Sequence, residues 1–149
     1  TGSVSVEMAL RAWKGQVYAI EKKEDALTLL KENRRKFATD NLEIVPGTAP
    51  EAMVELPVPT HAFIGGSSGN MNEIIRLLLD KNPKVRIVIN CITLETVTEA
   101  MNAIRDFSLT DVDIVQLSAA RSKSIGRYHM MMGENPIYII SCSGRGEEI

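Results

Sequence analysis

Residues 60–69 read T-H-A-F-I-G-G-S-S-G, and the rest of the chain is organised around this stretch. The apolar run 62–64 stops at Gly65 and Gly66, and two serines, a third glycine and Asn70 separate it from a helical pattern. A buried strand that runs into glycines and then a helix opens a crevice at the carboxyl end of an α/β sheet, where open sheets bind their ligands. We therefore expect a nucleotide-binding half before this stretch and, after it, a half that closes over a second substrate.

Hydrophobic periodicity on both sides of this stretch predicts alternating strands and helices. The expected helices are 3–13, 23–37, 71–81 and 93–107, and the expected strands are 16–20, 41–45, 62–64, 84–90, 112–117 and 136–142. Alternation favours a parallel sheet with right-handed crossovers, and two successive strands at the end indicate that the last one inserts antiparallel. The predicted fold is α/β, a doubly wound, mostly parallel sheet with a terminal antiparallel hairpin, which is the arrangement of class I methyltransferases.

Length and composition indicate one globular domain over residues 1–149, with 44% apolar residues, 24% charged residues and a net charge of −2. The charge predicts no nucleic-acid surface, and no apolar run approaches the ~18–20 residues of a membrane span. We expect a cytoplasmic protein in which Cys91 and Cys142 are free buried thiols. The chain begins at Thr1 without an initiator methionine or a preceding strand, so we expect a fragment of a longer protein whose first strand is missing.

Small and acidic residues at the strand ends predict a nucleoside site. A T-G-S run opens the first helix and lets a polar group approach its amides. An acidic side chain after the first strand is placed to accept hydrogen bonds from two ribose hydroxyls, and the end of the next strand offers backbone and an alanine to an adenine. The candidate cofactor-binding residues are Thr1, Gly2, Ser3, Glu21, Thr48, Ala49 and Gly65.

The second substrate is expected to meet residues of the later half. Gly66 gives it room to approach, Asn90 ends a buried strand with a neutral amide, and residues 118–135 form a long loop with several cations. Arginine binds carboxylates well, so this loop suits a polycarboxylate. The alternative is a flexible surface loop whose methionine run serves packing or an oligomer contact. The candidate substrate-binding residues are Gly66, Asn90, Arg121, Lys123 and Arg127.

The segments A-F-I-G-G-S-S-G-N-M-N-E-I, R-I-V-I-N-C-I-T-L-E-T and R-S-K-S-I-G-R-Y-H-M together closely resemble the methyltransferase domain of the precorrin-6Y C5,15-methyltransferase (decarboxylating) family of cobalamin biosynthesis. The resemblance covers essentially the whole chain. It aligns Thr1-Gly2-Ser3 with the end of the glycine-rich cofactor motif, Glu21 with the acidic ribose ligand and Ala49 with the adenine-side alanine. Family members commonly carry Asp at the start of the strand before the glycines, where this chain has Thr60 and His61.

The resemblance implies an enzyme that uses S-adenosylmethionine to methylate a ring carbon of a precorrin and removes carbon dioxide from an acetate side chain. It also implies a homo-oligomer, with four copies. No Ser-His-Asp, Cys-His or metal-ligand spacing is visible, so no catalytic residue is assigned and no metal is expected. Because the sulfonium of the donor is already activated, positioning is the main task of the protein.

Three alternatives stay open on the residues alone. One is a class I methyltransferase with another substrate, either a small molecule or a tRNA base, although the acidic composition argues against RNA. Another is a nucleotide-binding domain without chemistry, and the third is an assembly domain of a fused enzyme. Binding of S-adenosylmethionine separates the first alternative from the other two.

Overall fold

The computed structural model describes residues 2–145 of the chain. These residues fall into two compact units, Thr1–Pro57 and Val58–Ile149. The strands form three hydrogen-bonded sheets: one in the first unit, and a four-stranded sheet and a separate hairpin in the second.

The first unit combines two parallel strands with two helices and a short 3-10 turn. Its elements are α1 (Ser3–Arg11), β1 (Val17–Glu21), α2 (Glu24–Lys36), β2 (Leu42–Pro46) and the 3-10 turn Glu51–Met53. β1 pairs with β2 from Val17 opposite Leu42 to Glu21 opposite Pro46, so both strands end at the same edge. The core of the unit consists of Val6, Ala9, Val17, Ala19, Leu30 and Leu42.

Asn41 fixes the direction of α1 against this sheet. Its Nδ2 donates to the carbonyls of Ala9, Ala12 and Gly15 at 2.9, 2.9 and 3.1 Å. These carbonyls belong to the end of α1 and the turn after it, whereas Asn41 directly precedes β2. The end of α1 therefore lies at the amino ends of the strands, and its beginning points toward their carboxyl ends.

The second unit carries the four-stranded sheet, two helices and the hairpin. Its elements are β3 (His61–Ile64), α3 (Met71–Lys81), β4 (Arg86–Cys91), α4 (Leu94–Asp106), β5 (Thr110–Leu117), β6 (Ala120–Ile125), β7 (Tyr128–Gly133) and β8 (Ile137–Ser143). The sheet order is β3-β4-β8-β5. β3 and β4 are parallel, and β8 runs antiparallel to both β4 and β5. The last strand thus inserts antiparallel, as predicted.

The two faces of β4 have different surroundings. Ile87, Ile89 and Cys91 alternate on one face and are fully buried. α4 packs against β4 and β8, and α3 packs against α4, so this face is covered by helices. Arg86, Val88 and Asn90 occupy the opposite face and are only half-buried. The helices thus account for the core of the unit and leave the second face for other contacts.

The predicted helices and strands are present with ends shifted by at most two residues, and α3 has the predicted bounds. α4 begins with a side-chain cap, because Thr93 Oγ1 accepts a hydrogen bond from Thr96 N at 3.1 Å. The prediction of a loop over 118–135 was wrong, since β6 and β7 pair there as an antiparallel hairpin. Every residue of the hairpin is exposed, so neither strand shows the alternation of a half-buried strand.

Candidate functional site

Glu21 ends β1 with its carboxylate held in place by backbone amides. Oε1 accepts hydrogen bonds from the amides of Lys22 and Lys23, each at 2.9 Å. Among the residues that the structure describes, Oε2 has no partner. One oxygen therefore orients the carboxylate at the entry to α2, and the other remains available to a ligand.

The end of β2 lies directly beside Glu21. Gly47 N donates to the Glu21 carbonyl at 3.0 Å, and Gly47 has a φ of +150° that favours glycine. The next residues, Thr48 and Ala49, turn back, because the Thr48 carbonyl accepts from Ala52 N at 2.9 Å. The structure thus brings Glu21, Thr48 and Ala49 together at the carboxyl edge of the first unit.

Gly2 is the N-cap of α1, and the helix start points to the same edge. Its φ is +67°, and a Cβ at this position would collide with the Leu30 side chain. Glycine is therefore required both by the backbone conformation and by packing. Ser3 is an exposed first helical residue, and no side chain within residues 2–145 caps α1. Thr1 lies outside the described residues.

Gly65 and Gly66 follow the last residue of β3 at the carboxyl edge of the second unit. A Cβ at Gly65 would approach Phe63 Cε1 to 3.0 Å, whereas a Cβ at Gly66 would meet no heavy atom within 4 Å. Packing among residues 2–145 therefore does not require glycine at position 66. The space beside it is open to a bulky ligand.

The turn after these glycines is held by contacts that the sequence did not predict. Ser67 is buried, and its Oγ donates a long hydrogen bond of 3.5 Å to Glu99 Oε2 on α4. Ser68 and Gly69 follow with φ values of +51° and +86°. A left-handed serine is uncommon and persists only where its surroundings impose it. The glycine turn is thus a constrained feature of the carboxyl edge.

Glu99 also influences Cys91 at the end of β4. Burial raises the pKa of the Cys91 thiol, and the negative charge of Glu99 raises it further. The thiol therefore stays protonated, and as a fully buried group it is a poor nucleophile. No periodicity or motif could have linked Ser67 to Glu99, because they lie 32 residues apart on different elements.

Asn90 lies next to the glycine turn, on the face of β4 away from the helices. Ile64 pairs with Ile89, so Gly65 follows at the level of Asn90. The Asn90 Oδ1 atom is buried and has no hydrogen-bond partner among the described residues. The structure therefore brings Gly65, Gly66 and Asn90 together.

Arg121, Lys123 and Arg127 lie apart from these residues, on the exposed hairpin. Arg121 and Lys123 are two residues apart on β6, so their side chains share one face. Arg127 lies in the turn, where its guanidinium stacks 5.4 Å from the Tyr128 ring. The hairpin begins after β5, whose end lies at the carboxyl edge, so these cations project from the ligand side of the sheet.

Together these features suit binding and positioning more than acid–base or nucleophilic chemistry. The described residues place an oriented carboxylate, an open glycine turn and an unpartnered amide oxygen at carboxyl edges of strands. None of the helices in residues 2–145 is long and apolar enough to cross a membrane.

Comparison with known proteins shows which family the chain matches. A family model described as "Precorrin methyltransferase domain" matches residues 1–143. A Pyrobaculum calidifontis protein, named as a probable cobalt-precorrin-6B C(15)-methyltransferase (decarboxylating), is 40% identical over 143 residues. The match covers 95% of this chain and 73% of that protein.

Solved structures of precorrin methyltransferases are also similar to this chain. The precorrin-6Y C5,15-methyltransferase of Geobacter metallireducens superposes with a TM-score of 0.86 at 33% identity, covering 95% of this chain and 75% of that one. An S-adenosylmethionine-dependent O-methyltransferase of Thermotoga maritima has a TM-score of 0.66 at 15% identity, over 91% of this chain and 52% of that one, which shows likeness of fold alone. The predicted class I methyltransferase fold is confirmed.

Proposed function

This chain belongs to the precorrin methyltransferase domain family, and we propose on that basis that it methylates a ring carbon of a precorrin with S-adenosylmethionine and decarboxylates an acetate side chain. The observation that carries the proposal is the family match across residues 1–143. The step belongs to cobalamin biosynthesis. We place it in the cytoplasm, where free thiols such as Cys91 and Cys142 stay reduced.

The residues at the edge of the first unit fit S-adenosylmethionine. Glu21 has an unpartnered Oε2 that would accept hydrogen bonds from the ribose hydroxyls, and Thr48 and Ala49 stand beside it to flank the adenine. The start of α1 at Gly2 and Ser3 offers backbone amides to the polar end of the cofactor. Thr1, which lies outside the described residues, is also proposed to belong to this site, and Gly65 of the second unit stays a predicted cofactor residue.

The role of this chain is to hold the donor and acceptor in line. When bound, S-adenosylmethionine supplies a methyl group on an already activated sulfonium. Gly66 leaves space for the flat acceptor, and Asn90 lies beside that space. In the coupled step, the bond between the acetate methylene and its carboxylate breaks, carbon dioxide leaves, and the methylene carbon gains a proton and becomes a methyl group.

The direct test is turnover by the full-length chain, supplied with methyl-labelled S-adenosylmethionine and cobalt-precorrin-6B. We expect transfer of label to the tetrapyrrole together with release of one carbon dioxide per methyl group. Binding of S-adenosylmethionine without turnover of any precorrin would point to another acceptor. Absence of cofactor binding would contradict the proposal altogether.

Arg121 and Lys123 are proposed to bind carboxylates of the precorrin. Replacing both by alanine is expected to raise the KM for the tetrapyrrole about tenfold or more, because charge-assisted hydrogen bonds are lost. The affinity for S-adenosylmethionine should stay within about twofold. The control is alanine at Lys31 and Arg34, two exposed cations of α2. A change in cofactor affinity with an unchanged KM would refute the assignment.

The hairpin also supports a homo-oligomer, which we propose to contain four copies. Ile125, Tyr128, Met130, Met131 and Met132 are between 46% and 65% exposed. An isolated two-stranded hairpin is marginally stable in water, and contiguous exposed apolar side chains mark contact surfaces. Contact with further copies of the chain would bury these side chains and stabilise the hairpin.

A further inference from the structure

The glycine turn, residues 65–69 after β3, has one buried side chain. Ser67 is 8% exposed, whereas the other four residues of the turn are exposed. A Cβ at Gly66 or at Gly69 would meet no heavy atom within 4 Å, so packing does not fix the turn at either of these glycines. The position of the turn therefore depends on how Ser67 is anchored.

The backbone of the turn has a conformation that its sequence only partly favours. Asn70 N donates to the Ser67 carbonyl at 2.9 Å and closes a four-residue turn. The two central residues, Ser68 and Gly69, have φ values of +51° and +86°. Glycine adopts such values freely, whereas serine rarely does. Contacts with other parts of the chain are therefore needed to keep the turn in this conformation.

Glu99 supplies such a contact from α4. Its Oε2 accepts from Ser67 Oγ at 3.5 Å, and it is the one hydrogen-bond partner of this hydroxyl among the described residues. A buried hydroxyl without a partner is unfavourable, so even a long bond is valuable here. α4 is a firm support, because Thr93 caps its start and Ala100, the residue after Glu99, is fully buried.

The sequence of α4 does not itself favour a glutamate at position 99. No lysine or arginine lies three or four residues from Glu99 in either direction, and Glu95, four residues earlier, repels it. The negative charge of Glu99 also raises the pKa of the Cys91 thiol, in agreement with a carboxylate close to the end of β4. Glu99 therefore lies near the ends of both β3 and β4, at the edge of the sheet where ligands bind.

We infer that Glu99 is a positioning residue, which holds Ser67 so that the glycine turn keeps the space at Gly66 open for the acceptor. The inference rests on the proposed function, in which the precorrin occupies this space. A turn that is in place before the acceptor arrives does not have to be ordered during binding, and such preorganisation strengthens binding. Glu99 acts through the turn and not by touching the substrate.

The variant Glu99→Ala tests the inference in the full-length chain. The KM for cobalt-precorrin-6B is expected to rise about 3- to 10-fold, because the turn loses a hydrogen bond and has to be ordered during binding. The kcat is expected to stay within about twofold, since the turn has the wild-type conformation once the acceptor is bound. Ser67→Ala should raise the KM equally. The double variant should raise it no further, because both changes remove the same bond.

Two controls separate the hydrogen bond from a general effect of charge. Glu99→Gln keeps an acceptor oxygen, so its KM is expected to stay within about twofold of the wild-type value. Glu95→Ala removes an exposed glutamate of the same helix that has no hydrogen bond to the glycine turn in the described part of the chain, and it should leave the KM unchanged. A KM that rises as much in Glu99→Gln as in Glu99→Ala would overturn the inference.

Hydrogen exchange of the Asn70 amide gives a test that needs no turnover. In the ligand-free chain this amide is bonded to the Ser67 carbonyl, so Glu99→Ala and Ser67→Ala are expected to speed its exchange about 3- to 10-fold. Unchanged exchange would overturn the inference, and so would a wild-type KM in Glu99→Ala. Absence of precorrin turnover by the wild-type chain would instead contradict the proposed function, and the exchange rates would still show whether Glu99 holds the turn.

Discussion

Charge reversal at Glu21 is expected to reduce the affinity for S-adenosylmethionine more than any other single change in the first unit. Glu21→Lys removes the free Oε2 acceptor and places a cation beside Lys22 and Lys23. The loss of charge-assisted hydrogen bonds to the ribose corresponds to roughly 1–3 kcal/mol. The dissociation constant should therefore rise about 5- to 150-fold, measured by calorimetry on the full-length chain.

Glu21 also holds two backbone amides at the entry to α2, so a structural effect must be separated from a binding effect. Glu21→Gln keeps an oxygen that can accept from these amides and removes only the charge. We expect it to keep the Tm of the wild-type chain and to lose a smaller part of the affinity. Wild-type affinity in Glu21→Lys, with folding intact, would remove this residue from the cofactor site.

Removal of the hairpin is expected to convert the proposed four-copy assembly into single chains. Glu134 N donates to the Ala119 carbonyl at 2.8 Å, so the base of the hairpin is already closed. Residues 120–133 can therefore be replaced by two glycines without moving β5 or β8. Light scattering after size-exclusion chromatography should report about one quarter of the wild-type mass.

The control for this experiment is an exposed apolar residue outside the hairpin. Leu94, the first residue of α4, is 71% exposed, and Leu94→Glu should leave the mass unchanged. The shortened chain should keep its secondary structure, because every hairpin residue is exposed and contributes little to the core. A wild-type mass after removal of the hairpin would place the contact between copies elsewhere.

Features that depend only on residues close by in the chain could be predicted from the sequence. The existence of strand β4, the start of α4 and the glycines after β3 depend on patterns within a few positions of the chain. The position of Glu21 at the end of β1 follows from the length of one apolar run. The orientation of the Glu21 carboxylate does not follow from the sequence, because it depends on where the backbone amides of Lys22 and Lys23 point.

The hairpin strands could not be predicted from local sequence patterns. Its turn contains Gly126 with a φ of +61°, which suits a tight two-residue connection. Neither of its strands has one buried and one exposed face, so hydrophobic periodicity carried no signal. The methionine run Met130–Met132 reads equally well as loop or strand, and only the pairing of β6 with β7 distinguishes them.

The sequence by itself determined the fold class, the family and the order of the elements outside the hairpin, because periodicity, caps and motifs act over short distances along the chain. The tertiary structure alone decided which side chains are satisfied. Ser67 donates to Glu99, Arg86 donates to the hydroxyls of Ser141 and Ser143, and Asn90 Oδ1 has no partner in the described part of the chain. These differences arise from packing between elements far apart in sequence, where hydrogen bonds depend on ångström-scale distances that no local pattern records.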